Sequence, residues 1–259
     1  MAATRTTRSP SVLAAYVLHR YDWSESSLIL DLFTREQGRV AVAAKGAKRP
    51  HSQLRSILLP FQRTLVSLGR LPAAEGAGEV QTLRSAEWAG GAAMLTGAAL
   101  FSGFYLNELL MKLLARHDPH TALFDAYAAT LPGLSGSDEG LTQAALRAFE
   151  LTLLREIGVL PDLSLVTLTH QTVSEAGRYA LLPEAGVTAP RSDENELSGR
   201  LLIGLQAALE HGSMAALQQA CAASLPELKA TLRAMLHYHL GSSTLRTRQV
   251  MMDVQTLER

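Results

Sequence analysis

The chain has 259 residues, 47% of them apolar, enough to bury the core of one large domain or of two to three smaller ones, and no apolar run approaches the ~20 residues of a membrane span. One cysteine, Cys221, excludes a disulfide framework and a cysteine-rich zinc site. The net charge of zero conceals a split, with 11 Lys/Arg against 4 Asp/Glu in residues 1–70, 8 against 17 in residues 71–220 and 5 against 3 in residues 221–259. That is the distribution of a basic, partner-facing module on a more acidic body.

The opening "MAATRTTRSPS" has two arginines but no following apolar h-region, and reads as a frayed start rather than a signal peptide. A cytoplasmic protein is expected. Five strand-length stretches follow: Ser11–His19, Ser27–Thr34, Gly38–Gly46, Arg63–Arg70 and Glu79–Glu87. "REQG" between the second and third is a hairpin connection, and "LPAAEGAG" between the last two is a Pro/Gly-rich loop. Five short strands in about 80 residues fit a small barrel of the OB type.

Beyond Trp88 the apolar period becomes helical. "GGAAMLTGAALFSGFYLNELLMKLLARH" carries one broad apolar face and the i,i+4 pair Glu108–Lys112. "PHTALFDAYAATLPGL" and "SDEGLTQAALRAFELTLLREIGVLP" predict two more helices, the latter closed by Gly158 and Pro161. "ELSGRLLIGLQAALEHG", "SMAALQQACAAS" and "LPELKATLRAMLHYHLG" predict three further ones. No helical period survives in Leu163–Pro190, where "LVTLTHQTV" and "RYALL" predict a small β excursion.

No catalytic pattern is present: no nucleophile elbow, no phosphate-binding loop, no dinucleotide fingerprint. His117/His120 lack further ligands apart from Asp118, and His237/His239 at i,i+2 fall on different helix faces, so no metal site is assigned. Cys221, among small residues, is expected to be a buried small hydrophobe.

The one strong local feature is the basic stretch "GRVAVAAKGAKRPHSQLRSILLPF". A single-strand groove needs cations for phosphates and flat apolar faces for bases. Arg39, Lys45, Lys48, Arg49 and Arg55 supply the cations, with Arg246 and Arg248 in "LRTRQ" as weaker candidates. Trp23 and Tyr21 in "HRYDWSESS" are candidate stacking groups, Trp23 alternatively capping the barrel end, while Phe33 and Phe61 are assigned to the core.

These residues carry a resemblance. "VLHRYDWSESSLILDLFTREQGRVAVAAKGAKR" resembles the opening of the bacterial RecO family, in its Ser-Glu-x-Ser turn and its Gly-Arg strand ending in Lys-Gly-Ala. "LLPFQ", "EVQTLRSAE", "SGFYLNELL", "ALRAFELTLLREIG" and "HLGSSTLRTRQVM" continue it in order over nearly the whole chain. The resemblance implies an α+β protein, with an N-terminal OB-fold barrel followed by an α-helical domain. It implies a non-enzymatic DNA repair and recombination mediator of the RecF pathway, free of cofactors. Such a protein binds single- and double-stranded DNA, anneals complementary strands, and acts with RecR on DNA coated with single-strand-binding protein so that RecA can load. Many members carry a four-cysteine zinc module; here Leu163–Arg191 has no cysteine, only His170, as in a zinc-free branch.

The expected division is an OB domain at 1–87 and a helical domain at 88–259, with a small β/loop insertion at 163–192 in place of the zinc module. The helical body is expected to receive the acidic, apolar C-terminal tail of single-strand-binding protein. Leu146, Phe149, Leu153 and Leu154 would form one apolar side, and Arg147, in the basic position of the family's "ALR-x-FE" motif, would pair with the tail's carboxylate or, alternatively, with Glu150 or Glu139. The expected location is the cytoplasm, at the nucleoid. A generic OB-fold RNA-binding module and a non-catalytic interaction scaffold are the alternatives.

Overall fold

A computed structural model describes residues 12–69, 79–91, 94–136, 138–191, 195–241 and 245–257. The expected frayed start and the "LPAAEGAG" loop lie outside the described residues. The chain divides into two units: residues 1–92 with 115–121, and residues 93–114 with 122–259.

The first unit is a closed five-stranded barrel. Its strands are β1 (Val12–Asp22), β2 (Leu28–Thr34), β3 (Gly38–Ala44), β4 (Gln62–Leu68) and β5 (Val80–Gly91), with a one-turn helix α1 (Leu54–Ile57) between β3 and β4. The order is β1-β2-β3-β5-β4, closed by β1 on β4 from Val12↔Ser67 to Ala15↔Thr64. The β3–β5 pair is parallel and the others antiparallel. Inward side chains alternate along each strand: Leu13, Ala15 and Val17, then Leu30 and Leu32, then Val40 and Val42, with Val66, Leu83 and Ala86 closing the core. Phe33 and Phe61 are buried, as expected. Strand β5 runs through position 87 to Gly91, its register shifted by bulges.

Residues 115–121 return to the barrel. Arg116 bridges alongside Arg39, and the His117 N–H donates to the Arg39 carbonyl at 2.9 Å. Gly38 has φ +66°, and a Cβ there would lie 1.9 Å from the Asp118 carbonyl oxygen. Only glycine fits both the turn and this approach.

The second unit comprises α2 (Gly97–Leu113), α3 (Thr121–Leu134), α4 (Glu139–Glu156), α5 (Gly199–His211), α6 (Met214–Ala222), α7 (Leu225–Leu240) and α8 (Arg246–Leu257), together with a three-stranded sheet of order β7-β6-β8. The sheet consists of β6 (Arg178–Leu182), β7 (Gly186–Thr188) and β8 (Leu197–Ser198), so it reaches beyond the expected insertion limit at 192. Helix α4 is the hub, buried at every position from Ala144 to Leu154 and packed on α6 and α7. Its start is capped by Asp138, whose side chain accepts from the Leu141 N–H, and Ser198 and Ser213 cap α5 and α6 in the same way. Left-handed Gly212 and Gly241 end α5 and α7. Cys221 is fully buried, and burial pushes its thiol up to about 12.

Helix α8 is absent from the sequence-based expectations. Its start is organised by a distant group: the Glu108 carboxylate on α2 accepts from the Arg246 N–H, the Thr247 N–H and the Thr247 hydroxyl, at 2.9, 2.9 and 2.7 Å. Nothing in the sequence local to "TLRTRQV" announces that cap.

Candidate functional site

Two basic sites emerge, one in each unit. In the barrel unit, the stretch after β3 makes successive turns about Gly46, which sits at φ +73°. Ala47 is turned into the core, so Lys45 and Arg49 on either side of that turn are exposed, and Arg55 is exposed on α1. The β1–β2 turn is stapled to this loop. The Lys48 N–H donates to the Ser26 carbonyl at 2.9 Å, and the Gly46 N–H to the Ser27 hydroxyl at 3.4 Å. The Lys48 ammonium lies 2.9 Å from the Asp22 carboxylate and donates to the Ser24 carbonyl at 3.0 Å. The Ser-Glu-x-Ser turn and the Lys-Gly-Ala-Lys loop are therefore one structural element.

That element presents Trp23, 57% exposed, and Tyr21, 44% exposed and edge-on to His19. A groove of ≈ 580 Å³ lies next to Asp22 in the same turn, with Arg20, Lys48, Arg55 and the Lys48-paired Asp22 around an apolar floor that includes Leu28, Leu54 and Leu58. Arg20 was not singled out in the sequence. The signal was its place in "HRYDW", where β1, past its bulge between Val17 and His19, exposes four residues in succession.

Arg39 is placed differently from the other cations. Its guanidinium donates to both oxygens of Asp31, at 2.9 and 3.0 Å, and its side chain is only 12% exposed. Asp31 is buried and needs that partner; Arg116 approaches the same carboxylate at 3.6 Å. Asp31 and Arg39 are diagonal neighbours across the β2–β3 ladder, a relation fixed by register rather than by sequence distance. Arg39 is thus tied into the barrel wall, whereas Lys45, Arg49 and Arg55 are exposed.

In the helical unit, a pocket of ≈ 230 Å³ opens between α2, α4, α7 and α8. Phe101, Leu146, Leu236 and Leu245 give it apolar walls, and five bases line it: Arg147, Lys229, Arg233, His237 and Arg248. Among the described residues no acid lines it. Arg147 is only 6% exposed and donates to Glu150 Oε1 at 2.5 Å, the same oxygen that receives the Tyr105 hydroxyl at 2.7 Å. Burial raises the Glu150 carboxyl above its ordinary range against the pull of Arg147, and burial together with Glu150 raises the Tyr105 phenol well above its own. Arg147 Nε and Glu150 Oε2 have no hydrogen-bond partner among the described residues.

Of the residues expected to receive a tail, Leu146 and Arg147 line this pocket, and Arg147 also makes the alternative pair with Glu150. Phe149, Leu153 and Leu154 do not: each is fully buried, and Phe149 packs edge-on to Tyr127 at 6.1 Å. A helix buried all round has no single apolar face, so helical spacing alone assigned core residues to the site. Arg248, grouped with the DNA-contacting residues in the sequence, lines this pocket. Arg246 is exposed at the start of α8. Lys229 and Arg233 went unnoticed because only their position on α7, facing α4, brings them to Arg147. Among the described residues no three His, Cys, Asp or Glu side chains gather as a metal site.

Comparison with known proteins agrees over both units. Residues 11–91 match the family described as Recombination protein O N terminal, and residues 94–249 match Recombination protein O C terminal. The chain belongs to the RecO family of DNA repair and recombination proteins. It is 53% identical to the DNA repair protein RecO of Polaromonas sp. strain JS666 over 94% of this chain and 96% of that one. It is 52% identical to the protein of that name from Polaromonas naphthalenivorans, over 99% and 100%. With the Albidiferax ferrireducens protein it shares 49% over 99% of each. The RecO resemblance noted in the sequence thus extends through both units. No helix among the described residues is long and apolar enough to cross a membrane.

Proposed function

We propose that this RecO-family chain is a non-enzymatic mediator of DNA repair. It binds single- and double-stranded DNA, anneals complementary strands and, with RecR, helps RecA load on DNA coated with single-strand-binding protein, acting in the cytoplasm at the nucleoid. The observation that carries the reading is the stapled turn-and-loop element of the barrel, where Arg20, Lys48, Arg55 and the Lys48-paired Asp22 flank one groove and Trp23 stands exposed in the same turn. Lys45, Arg49 and Arg55, with Arg20, neutralise phosphates. Trp23 offers a face on which any base can stack, so capture is tolerant of sequence. Lys48, paired with Asp22, holds the element in shape, and its charge is largely offset by that partner.

The helical pocket is the docking site for the tail of single-strand-binding protein. An apolar terminal side chain enters between Phe101, Leu146 and Leu236, and its free carboxylate pairs with the Arg147 guanidinium. Acidic residues upstream meet Lys229, Arg233 and Arg248. Annealing two captured strands needs only charge neutralisation and alignment, with no bond made or broken by the protein.

The test is annealing of complementary oligonucleotides, each coated with single-strand-binding protein, followed by fluorescence quenching. Addition of this protein should accelerate annealing. A rate unchanged over a range of protein concentrations would overturn the reading.

A further inference from the structure

The helical pocket holds one group whose charge is not fixed at neutral pH. His237 on α7 lines it together with four permanent cations, Arg147, Lys229, Arg233 and Arg248. The charged and titratable groups on each surrounding element are few. Helix α7 contributes Lys229 and Arg233, and α8 contributes Arg248. Helix α4 contributes Arg147, with Glu150 behind it, fully buried and bonded to Arg147 and to the Tyr105 hydroxyl of α2. The remaining acid of α2 in this region, Glu108, is engaged by the start of α8 and by Lys112. Among the described residues no carboxylate therefore lines the pocket with the imidazole, while cations approach it from two helices.

We infer that His237 takes up a proton when an anionic peptide end fills this pocket, so that docking is coupled to pH. The inference rests on the pocket reading proposed above. Partial burial and the Arg233 and Arg248 charges hold the imidazole below its ordinary range, which favours its neutral form at physiological pH. A bound carboxylate offsets those charges and offers a hydrogen-bond acceptor to the imidazolium, which favours the protonated form. The sign follows from linkage: a group whose pKa rises on binding makes binding tighter as pH falls through that range. His237 thereby acts as a fifth, conditional cation of the site.

The test uses the full chain and a short peptide of aspartates ending in an apolar residue with a free carboxylate, its N-terminus blocked by a pH-insensitive rhodamine. Anisotropy titrations run at fixed ionic strength from about pH 8 to pH 6. The wild type should bind about three- to tenfold more tightly at the lower pH, the upper figure corresponding to a full unit of pKa shift. His237→Gln should bind with an affinity that does not change over this range. His237→Lys should bind tightly at both ends. An equal pH slope in the wild type and His237→Gln, or no slope in either, would overturn the inference while leaving the pocket reading in place. No binding of the peptide at any pH, by a wild type that still binds DNA, would overturn both.

Discussion

Arg147 donates to Glu150 at 2.5 Å inside the helical unit, with the arginine 6% exposed and the glutamate not at all. The arginine that lines the pocket is therefore also the partner of a buried carboxylate. Charge reversal at Arg147 would set two carboxylates against each other in the core and unfold the unit before it reported on binding. Arg147→Met should cost about 3 kcal/mol, because Glu150 is left without its cation, and Glu150→Leu in the same chain should recover most of that loss. Lys229→Ala with Arg233→Ala, both at exposed positions, should stay within about 0.5 kcal/mol of wild type in urea unfolding while weakening peptide binding.

Gly38 tests the barrel's edge. A Cβ there would lie 1.9 Å from the Asp118 carbonyl oxygen, and φ is +66°. Gly38→Ala should destabilise by at least about 2 kcal/mol, from left-handed strain and from displacement of residues 115–121. Urea denaturation followed by tryptophan fluorescence measures it. An alanine variant as stable as wild type would mean that the 115–121 segment does not hold this position.

The barrel was legible because five strand-length stretches follow one another within about 80 residues, separated by connections marked with glycine and proline. Which side of β1 and β2 faces inward was not legible, because Ala14, Tyr16 and Leu18 are buried as well as Leu13, Ala15 and Val17, and Asp31 and Phe33 as well as Leu30 and Leu32. Long-range pairings were not legible. Arg39 read as a free cation because its partner, Asp31, is set by β2–β3 register. The helices α2 to α7 were visible by period, yet the pocket was only half visible. Leu146 and Arg147 are local in sequence, whereas Lys229, Arg233 and Arg248 join them through packing. Phe149, Leu153 and Leu154 share the helix with Arg147 but sit on faces that other helices cover. Helix α8 was missed because its cap, Glu108, lies 138 residues away from Arg246.

Glu108 makes α8 sensitive to acid. Burial of its carboxyl raises the pKa, but hydrogen bonds from the Thr247 backbone and side chain, the Arg246 backbone and Lys112 outweigh that and leave it lowered. A lowered carboxyl pKa contributes stability that is fully present above the unfolded value, about 4.3, and is lost as pH falls through the folded one. Melting curves from pH 7 to pH 3 should therefore show a smaller acid-induced loss in Glu108→Gln than in wild type. The same variant should loosen Arg248 and weaken peptide binding at neutral pH. Parallel acid profiles for the two proteins would remove Glu108 from this role.

The barrel's DNA contacts should appear in salt dependence more clearly than in affinity at one condition. Each phosphate neutralised on a single strand contributes about −0.7 to the slope of log K against log salt. Four cations on the stapled element, Arg20, Lys45, Arg49 and Arg55, would then give a slope of roughly −3. Replacing any one of them with alanine should weaken binding across all sequences alike and make the slope shallower by about 0.7. Arg39→Ala behaves differently: it strips the partner from buried Asp31, so it should lower the barrel's stability and leave the slope of the folded fraction unchanged. Trp23→Ala should weaken binding by about 1–3 kcal/mol, the range for one base stacked on an aromatic ring, with the slope preserved because no charge is removed. Fluorescence anisotropy of a labelled oligothymidine at four salt concentrations separates the three classes. A wild-type slope near zero would exclude an electrostatic capture mechanism, and an equal change of slope for Arg39→Ala and Arg49→Ala would return Arg39 to the phosphate-binding surface.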